Sequence, residues 1–148
     1  AKNELDKIEA KYGSNIDLQL IRVNILIGMS RRRELSELEK LMGLYNSVKH
    51  NDLRTAYDIV QNIHDQSLEK VLNTKRNLAV VLVNSGIEFI NSNKPFIPYG
   101  ACGDLVYEAK SKQRRACKEA IELVLMAMQL DPKNKKIIEI HSELSKLI

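Results

Sequence analysis

The sequence predicts an all-α protein. Apolar residues recur at helical intervals in almost every segment, and the connections between these segments are mostly short. Residues that favour turns are scarce, with 6 Gly and 3 Pro in 148 residues. About seven or eight consecutive helices joined in this way are expected to pack as antiparallel hairpins. We expect one helical-repeat-like domain over residues 1–148.

The first two predicted helices lie in the first 30 residues. A short helix over residues 4–12 ends at Gly13, which readily adopts the left-handed conformation that closes a helix. Ser14 or Asn15 then caps a second helix over residues 16–29, which is apolar on most sides and therefore expected to be buried. A strand remains an alternative for residues 16–27, because β-branched residues recur there at every second position from 21 to 27.

Three further helices are predicted in the middle of the chain. Ser30 is the expected N-cap of a helix whose apolar stripe ends at Tyr45. The sequence His50-Asn51-Asp52 predicts a turn and the cap of a helix that continues to about residue 63. Helical spacing resumes at Ser67 and continues to about residue 90. A strand remains open for residues 78–83, where β-branched residues weaken the helical pattern.

The last third of the chain contains one predicted loop and three helices. Residues 91–103 hold two Pro and two Gly, together with Phe96 and Tyr99, which predicts the loop. Asp104 is the expected cap of a helix that ends near residue 112. A separate helix from about residue 115 ends before Asp131-Pro132, since proline disfavours helix at the preceding residue. Residues 137–148 form the closing helix.

Residues 119–134 carry a recurring pattern of small and large side chains. Ala120 is followed four residues later by Val124, three residues later by Ala127, and five residues later by Pro132. This segment resembles the second helix and exit turn of a tetratricopeptide repeat, and residues 137–148 resemble the solvating helix that follows a last repeat. The resemblance implies a right-handed superhelix of hairpins that binds proteins. A compact helical bundle is the alternative.

Positive charge is concentrated in the second half of the chain. Residues 1–74 hold 11 basic and 11 acidic residues, whereas residues 75–148 hold 12 and 8, so the formal charge of +4 belongs to the second half. The densest segment, residues 109–118, is predicted to be a basic face or turn. Its five cations are Lys110, Lys112, Arg114, Arg115 and Lys118.

Three interpretations of this basic segment remain open. It is a solvated helical face, a surface for an acidic protein partner, or a phosphate-binding surface to which Arg31, Arg32 and Arg33 contribute. Only 5% of the residues are aromatic, there is no Trp, and no aromatic is interleaved with the cations to stack on bases. The sequence therefore favours a protein partner over nucleic acid.

The sequence contains no catalytic or cofactor motif. None of the three histidines has metal-ligand spacing, so we interpret them as surface or capping residues. Cys102 precedes a helix start, where a dipole can lower a thiol pKa, but no His neighbours it. Cys102 and Cys117 are expected to be reduced thiols, and residues 100–103 lack the lysine of a phosphate-binding loop. We expect no catalysis, no cofactor and no bound metal.

These observations predict a non-catalytic protein–protein interaction module, a scaffold or adaptor in the cytoplasm. Absence of an apolar run of about 18 residues argues against a membrane protein, and a start other than Met indicates a piece of a longer chain. Arg114, Arg115 and Lys118 are the candidate contacts for an acidic partner, and Phe96 and Tyr99 are candidate apolar anchors. The alternatives are a nucleic-acid-binding or regulatory domain that uses residues 110–118, and an accessory domain of a larger enzyme.

Overall fold

The computed structural model describes residues 3–4, 6–7, 15–32, 45–92, 100 and 103–146. Helices account for 87% of this part of the chain, which contains no strand. The all-α class is therefore confirmed, and residues 16–27 and 78–83 are helical rather than extended. The five helices are α1 (Ile16–Arg32), α2 (Tyr45–Gln61), α3 (Glu69–Ser92), α4 (Gly103–Leu130) and α5 (Lys135–Ser145).

The chain divides into two compact units, residues 1–78 and residues 79–148, and the boundary lies within α3. Each unit contains its own buried apolar residues. The single helical-repeat-like domain expected from the sequence remains a prediction.

In the first unit, α1 packs against α2. Asn15 is the N-cap of α1, as one of the two sequence alternatives predicts, because its Oδ1 accepts a hydrogen bond of 2.9 Å from the Leu18 amide. The apolar sides of the two helices face each other, and their burial is the main stabilising contribution to this unit. The fully buried apolar residues of this pair are Val23, Leu53, Ala56 and Val60.

The corner between α2 and α3 is held by side chains. Gln66 Nε2 donates to the carbonyl oxygens of Val60 at 3.0 Å and Ile63 at 2.6 Å, which ties the end of α2 to the residues that follow it. Lys75 Nζ donates to Gln66 Oε1 at 2.7 Å and so fixes the amide from α3. The Ser67 hydroxyl and amide donate to Asp65 Oδ1, and these hydrogen bonds lower the pKa of Asp65.

Two predictions for the first unit are wrong. Ser30 does not cap a following helix; it lies inside α1, fully buried, and its hydroxyl donates to the Ile27 carbonyl oxygen at 2.7 Å. The expected turn at His50 is interior to α2, and His50 is 1% exposed instead of lying at a surface or a cap. A polar triplet resembles a turn in sequence, but Asn51 points to solvent while His50 lies on the buried side of the same helix.

In the second unit, α4 is one continuous helix of 28 residues. The predicted break near residues 112–115 is wrong, because that stretch contains no Gly or Pro and its exposed Arg114 and Arg115 favour helix. The helix begins at Gly103, so Asp104 lies in the first turn instead of acting as the cap. It ends at Leu130, immediately before the predicted stop.

Helix α5 packs against α4 and begins at a well-formed cap. The Asn134 side chain accepts hydrogen bonds from the amides of Lys136 and Ile137. Ile137 and Leu144, seven residues apart, are the buried residues of α5. The closing helix predicted over residues 137–148 is observed over Lys135–Ser145, and residues 147–148 lie outside the described residues.

The backbones of α3 and α4 approach closely at one point. A Cβ atom added at Gly86 would lie 3.2 Å from the Ala120 carbonyl oxygen, which is tighter than ordinary van der Waals contact. Ala120 and Ala127 are both fully buried. Both small residues are therefore buried, and Ala120 lies at a close contact between α3 and α4.

Candidate partner-binding surface

All five cations of the basic segment are exposed on α4. An α-helix turns by about 100° per residue, so Lys110, Arg114 and Lys118 lie on one face of α4. Arg115 lies on the flank of this face. Lys112 lies further from the face than Arg115 does. From Ala116 onwards, the opposite face of α4 is buried. Its fully buried residues are Ala120, Leu123, Val124 and Ala127.

Exposed apolar side chains lie at both ends of the same face. Tyr107 is 71% exposed and Leu125 is 42% exposed, and Ile121 between Lys118 and Leu125 is half-buried. At about 1.5 Å of rise per residue, the face is about 27 Å long. We call this face the α4 strip, and it consists of Tyr107, Lys110, Arg114, Lys118, Ile121 and Leu125.

Tyr107 is the functional candidate that sequence reasoning missed. No aromatic is interleaved with the cations in sequence, but Tyr107 lies on their face, three residues before Lys110 and seven before Arg114. That helical spacing was a signal available in the sequence. The predicted break near residue 113 places Tyr107 and Arg114 in different helices, so the sequence prediction does not assign them to one face.

The acidic residues of α4 do not interrupt the α4 strip. By the same helical rotation, they fall together on the flank that also carries Arg115. Positive and apolar side chains therefore share the α4 strip, while negative charge lies beside it. These acids are Asp104, Glu108, Glu119 and Glu122.

The structure accounts for part of the predicted site. Arg114 and Lys118 share the α4 strip, and Arg115 is exposed on its flank. The candidate anchors Phe96 and Tyr99 lie outside the described residues. So do Arg33 and the side chains of Arg31 and Arg32, which the sequence interpretation offered as additional phosphate contacts.

The described residues contain no recognisable metal centre. No group of three or more His, Cys, Asp or Glu side chains is placed to hold a metal ion among them. His64 is exposed and His141 is half-buried, and Cys102 lies outside the described residues. Within the described ranges, no helix has both the length and the apolar content to cross a bilayer.

We expect Cys117 to be unreactive in the folded protein. Its side chain is 1% exposed, and burial raises the pKa of its thiol, so the nucleophilic thiolate is depleted at any pH below that pKa. Alkylation by iodoacetamide at about pH 8, followed by peptide mass spectrometry, should be at least about tenfold slower in native buffer than in guanidinium chloride. Equal rates in the two conditions would contradict the burial of this thiol.

Comparison with known proteins gives no match. No family model matches the chain, and no curated protein or solved structure shows significant similarity to it. The functional proposal therefore rests on the residues of the chain itself.

Proposed function

We propose that this chain is a non-catalytic protein-interaction module that binds an acidic partner through the α4 strip. The observation that carries the proposal is the exposure of Tyr107, Arg114 and two lysines on one face of a single helix. Tyr and Arg are the residue types that most often dominate binding energy at protein interfaces. The lysines add a positive field that attracts an acidic partner and orients it on approach.

The proposal includes a tetratricopeptide-like arrangement of helical hairpins. It is supported by the buried Ala120 and Ala127, by the proline that follows α4, and by the short helix α5 after it. Helical arrays of this kind form a curved surface whose inner helices bind partners. A free and buried Cys117 fits a reducing compartment and so supports a cytoplasmic location.

Nucleic acid binding is the second candidate, and Tyr107 is the observation that favours it. An exposed aromatic beside three cations can stack on a base while the cations contact phosphates. However, a helix in the major groove has a phosphate backbone along both of its flanks. The acidic residues on the flank of the α4 strip would repel the phosphates on that side. A protein partner that contacts only the strip avoids this repulsion. An accessory role in a larger enzyme is compatible with either mode of binding.

The test is fluorescence anisotropy of the full chain at about 150 mM salt, where charges further apart than about 8 Å are screened. One probe is a fluorescein-labelled peptide rich in Glu and Leu, and the other is a labelled random oligonucleotide. We expect binding of the peptide and little affinity for the oligonucleotide. The variant Arg114→Glu/Lys118→Glu should lose peptide binding by at least about tenfold.

The matched control is Lys112→Glu/Lys133→Glu, which makes the same change in net charge at exposed positions outside the α4 strip. It should retain most of the peptide affinity. Equal losses in the two variants would mean that net charge, and not the strip, attracts the peptide. Micromolar oligonucleotide binding that only the strip variant abolishes would replace the proposal with the nucleic-acid function.

A further inference from the structure

We infer that the partner segment is itself an α-helix, about 18 residues long, that lies along the α4 strip with acidic residues opposite Lys110, Arg114 and Lys118. This inference rests on the proposed function and specifies the partner of the same surface. Apolar residues of the partner helix would meet Tyr107 at one end and Ile121 and Leu125 at the other.

The spacing of the α4 strip is the first reason for a helical partner. Tyr107, Arg114 and Ile121 are separated by seven residues each, and Lys118 and Leu125 are separated by seven. A repeat of seven residues keeps one face of a helix against a second helix over several turns. A partner with a repeat of seven can therefore contact the strip along its full length of about 27 Å.

The absence of a sheet edge is the second reason. Extended peptides commonly gain affinity by adding a strand to an exposed edge, where their backbone groups form hydrogen bonds. The part of the chain that the structure describes contains no strand and offers no such edge. A helix forms its backbone hydrogen bonds internally and binds through side chains alone.

Charge complementarity decides between a foreign helix and a second copy of this chain. Two copies that paired through their α4 strips would bring Arg114 and Lys118 against cations of the other copy in either orientation. Like charges in contact disfavour such pairing. An acidic helix instead forms ion pairs across the interface while the apolar ends of the strip are covered.

The test compares three labelled 21-residue peptides against the full chain by anisotropy. The first carries Leu and Glu in a repeat of seven, the second has the same composition in scrambled order, and the third is the first with two central Pro substitutions that prevent helix formation. We expect the first peptide to bind at least about tenfold more tightly than either of the others. Circular dichroism of the mixture should show more helix than the sum of the separate components.

Side-chain variants test the position of the helix. Tyr107→Ala and Leu125→Ala should each weaken binding of the first peptide by at least about fivefold. Ile138→Ala removes a comparably exposed apolar side chain from α5 and should leave binding unchanged. If Tyr107→Ala and Leu125→Ala behave like this control, the partner does not lie along the strip and the inference is wrong.

The possible failures are distinguishable. If all three peptides bind equally and the Arg114→Glu/Lys118→Glu variant loses all of them, the proposed function holds and the helical partner is refuted. If none of the acidic peptides binds, the proposed function fails together with the inference. A dimer in sedimentation equilibrium that the strip variant abolishes would identify a second copy as the occupant and overturn the inference.

Discussion

Replacement of Leu53 by alanine is expected to lower the free energy of unfolding by about 2–5 kcal/mol. Leu53 lies in α2 and is fully buried in the unit where α1 packs against α2. The substitution removes apolar contacts and leaves a cavity that rigid neighbouring helices fill only in part. Urea unfolding followed by far-ultraviolet circular dichroism measures the change.

Leu72→Ala is the matched control, since it makes the same chemical change on α3 at a side chain that is 37% exposed. Its expected cost is about 1 kcal/mol, because part of the lost surface already contacts water and little cavity remains. An equal decrease in the free energy of unfolding for the two variants would contradict the burial of Leu53.

Replacement of Ala120 by leucine is expected to cost about 1–3 kcal/mol, for the opposite physical reason. The added atoms have no free volume, because Ala120 is fully buried and its backbone lies against Gly86 of α3. The leucine must adopt an unfavourable rotamer or push the two helices apart. Ala127→Leu is expected to behave similarly, since Ala127 is also fully buried. Denaturant midpoints of both variants give the measurement.

Lys112→Leu is the control for these two variants, since it adds a leucine at an exposed position of the same helix. A change within about 0.5 kcal/mol is expected there. An unchanged midpoint for both alanine variants would show that α4 tolerates large residues on its buried face. The resemblance of residues 119–134 to a tetratricopeptide repeat would then lose its physical basis.

Local chemistry explains which features could be predicted. Asn15 caps α1 because its side chain reaches the amide three residues ahead, and that relation is local in sequence. Asp131-Pro132 ends α4 because proline restricts the residue before it. The helical period of the apolar residues reflects the buried face of each helix. The all-α class could therefore be predicted without the tertiary structure.

The wrong boundaries have a common cause. Ser30, the triplet that begins at His50, and the stretch around Arg114 are polar, and each resembles a cap or a turn in sequence. In each case the helix continues through these polar residues, none of which is Gly or Pro. Packing of buried apolar residues elsewhere on the same helix stabilises it. Whether a polar residue ends a helix therefore depended on the neighbouring helices.

The sequence by itself determined that this chain is helical and that positive charge accumulates between residues 110 and 118. Only the tertiary structure decided that α4 is continuous and that its outer face joins Tyr107, the three cations and Leu125 in one strip. The physical reason is that a periodic sequence specifies which residues share a face. Which face is buried, and which remains exposed for a partner, is decided by packing against other helices.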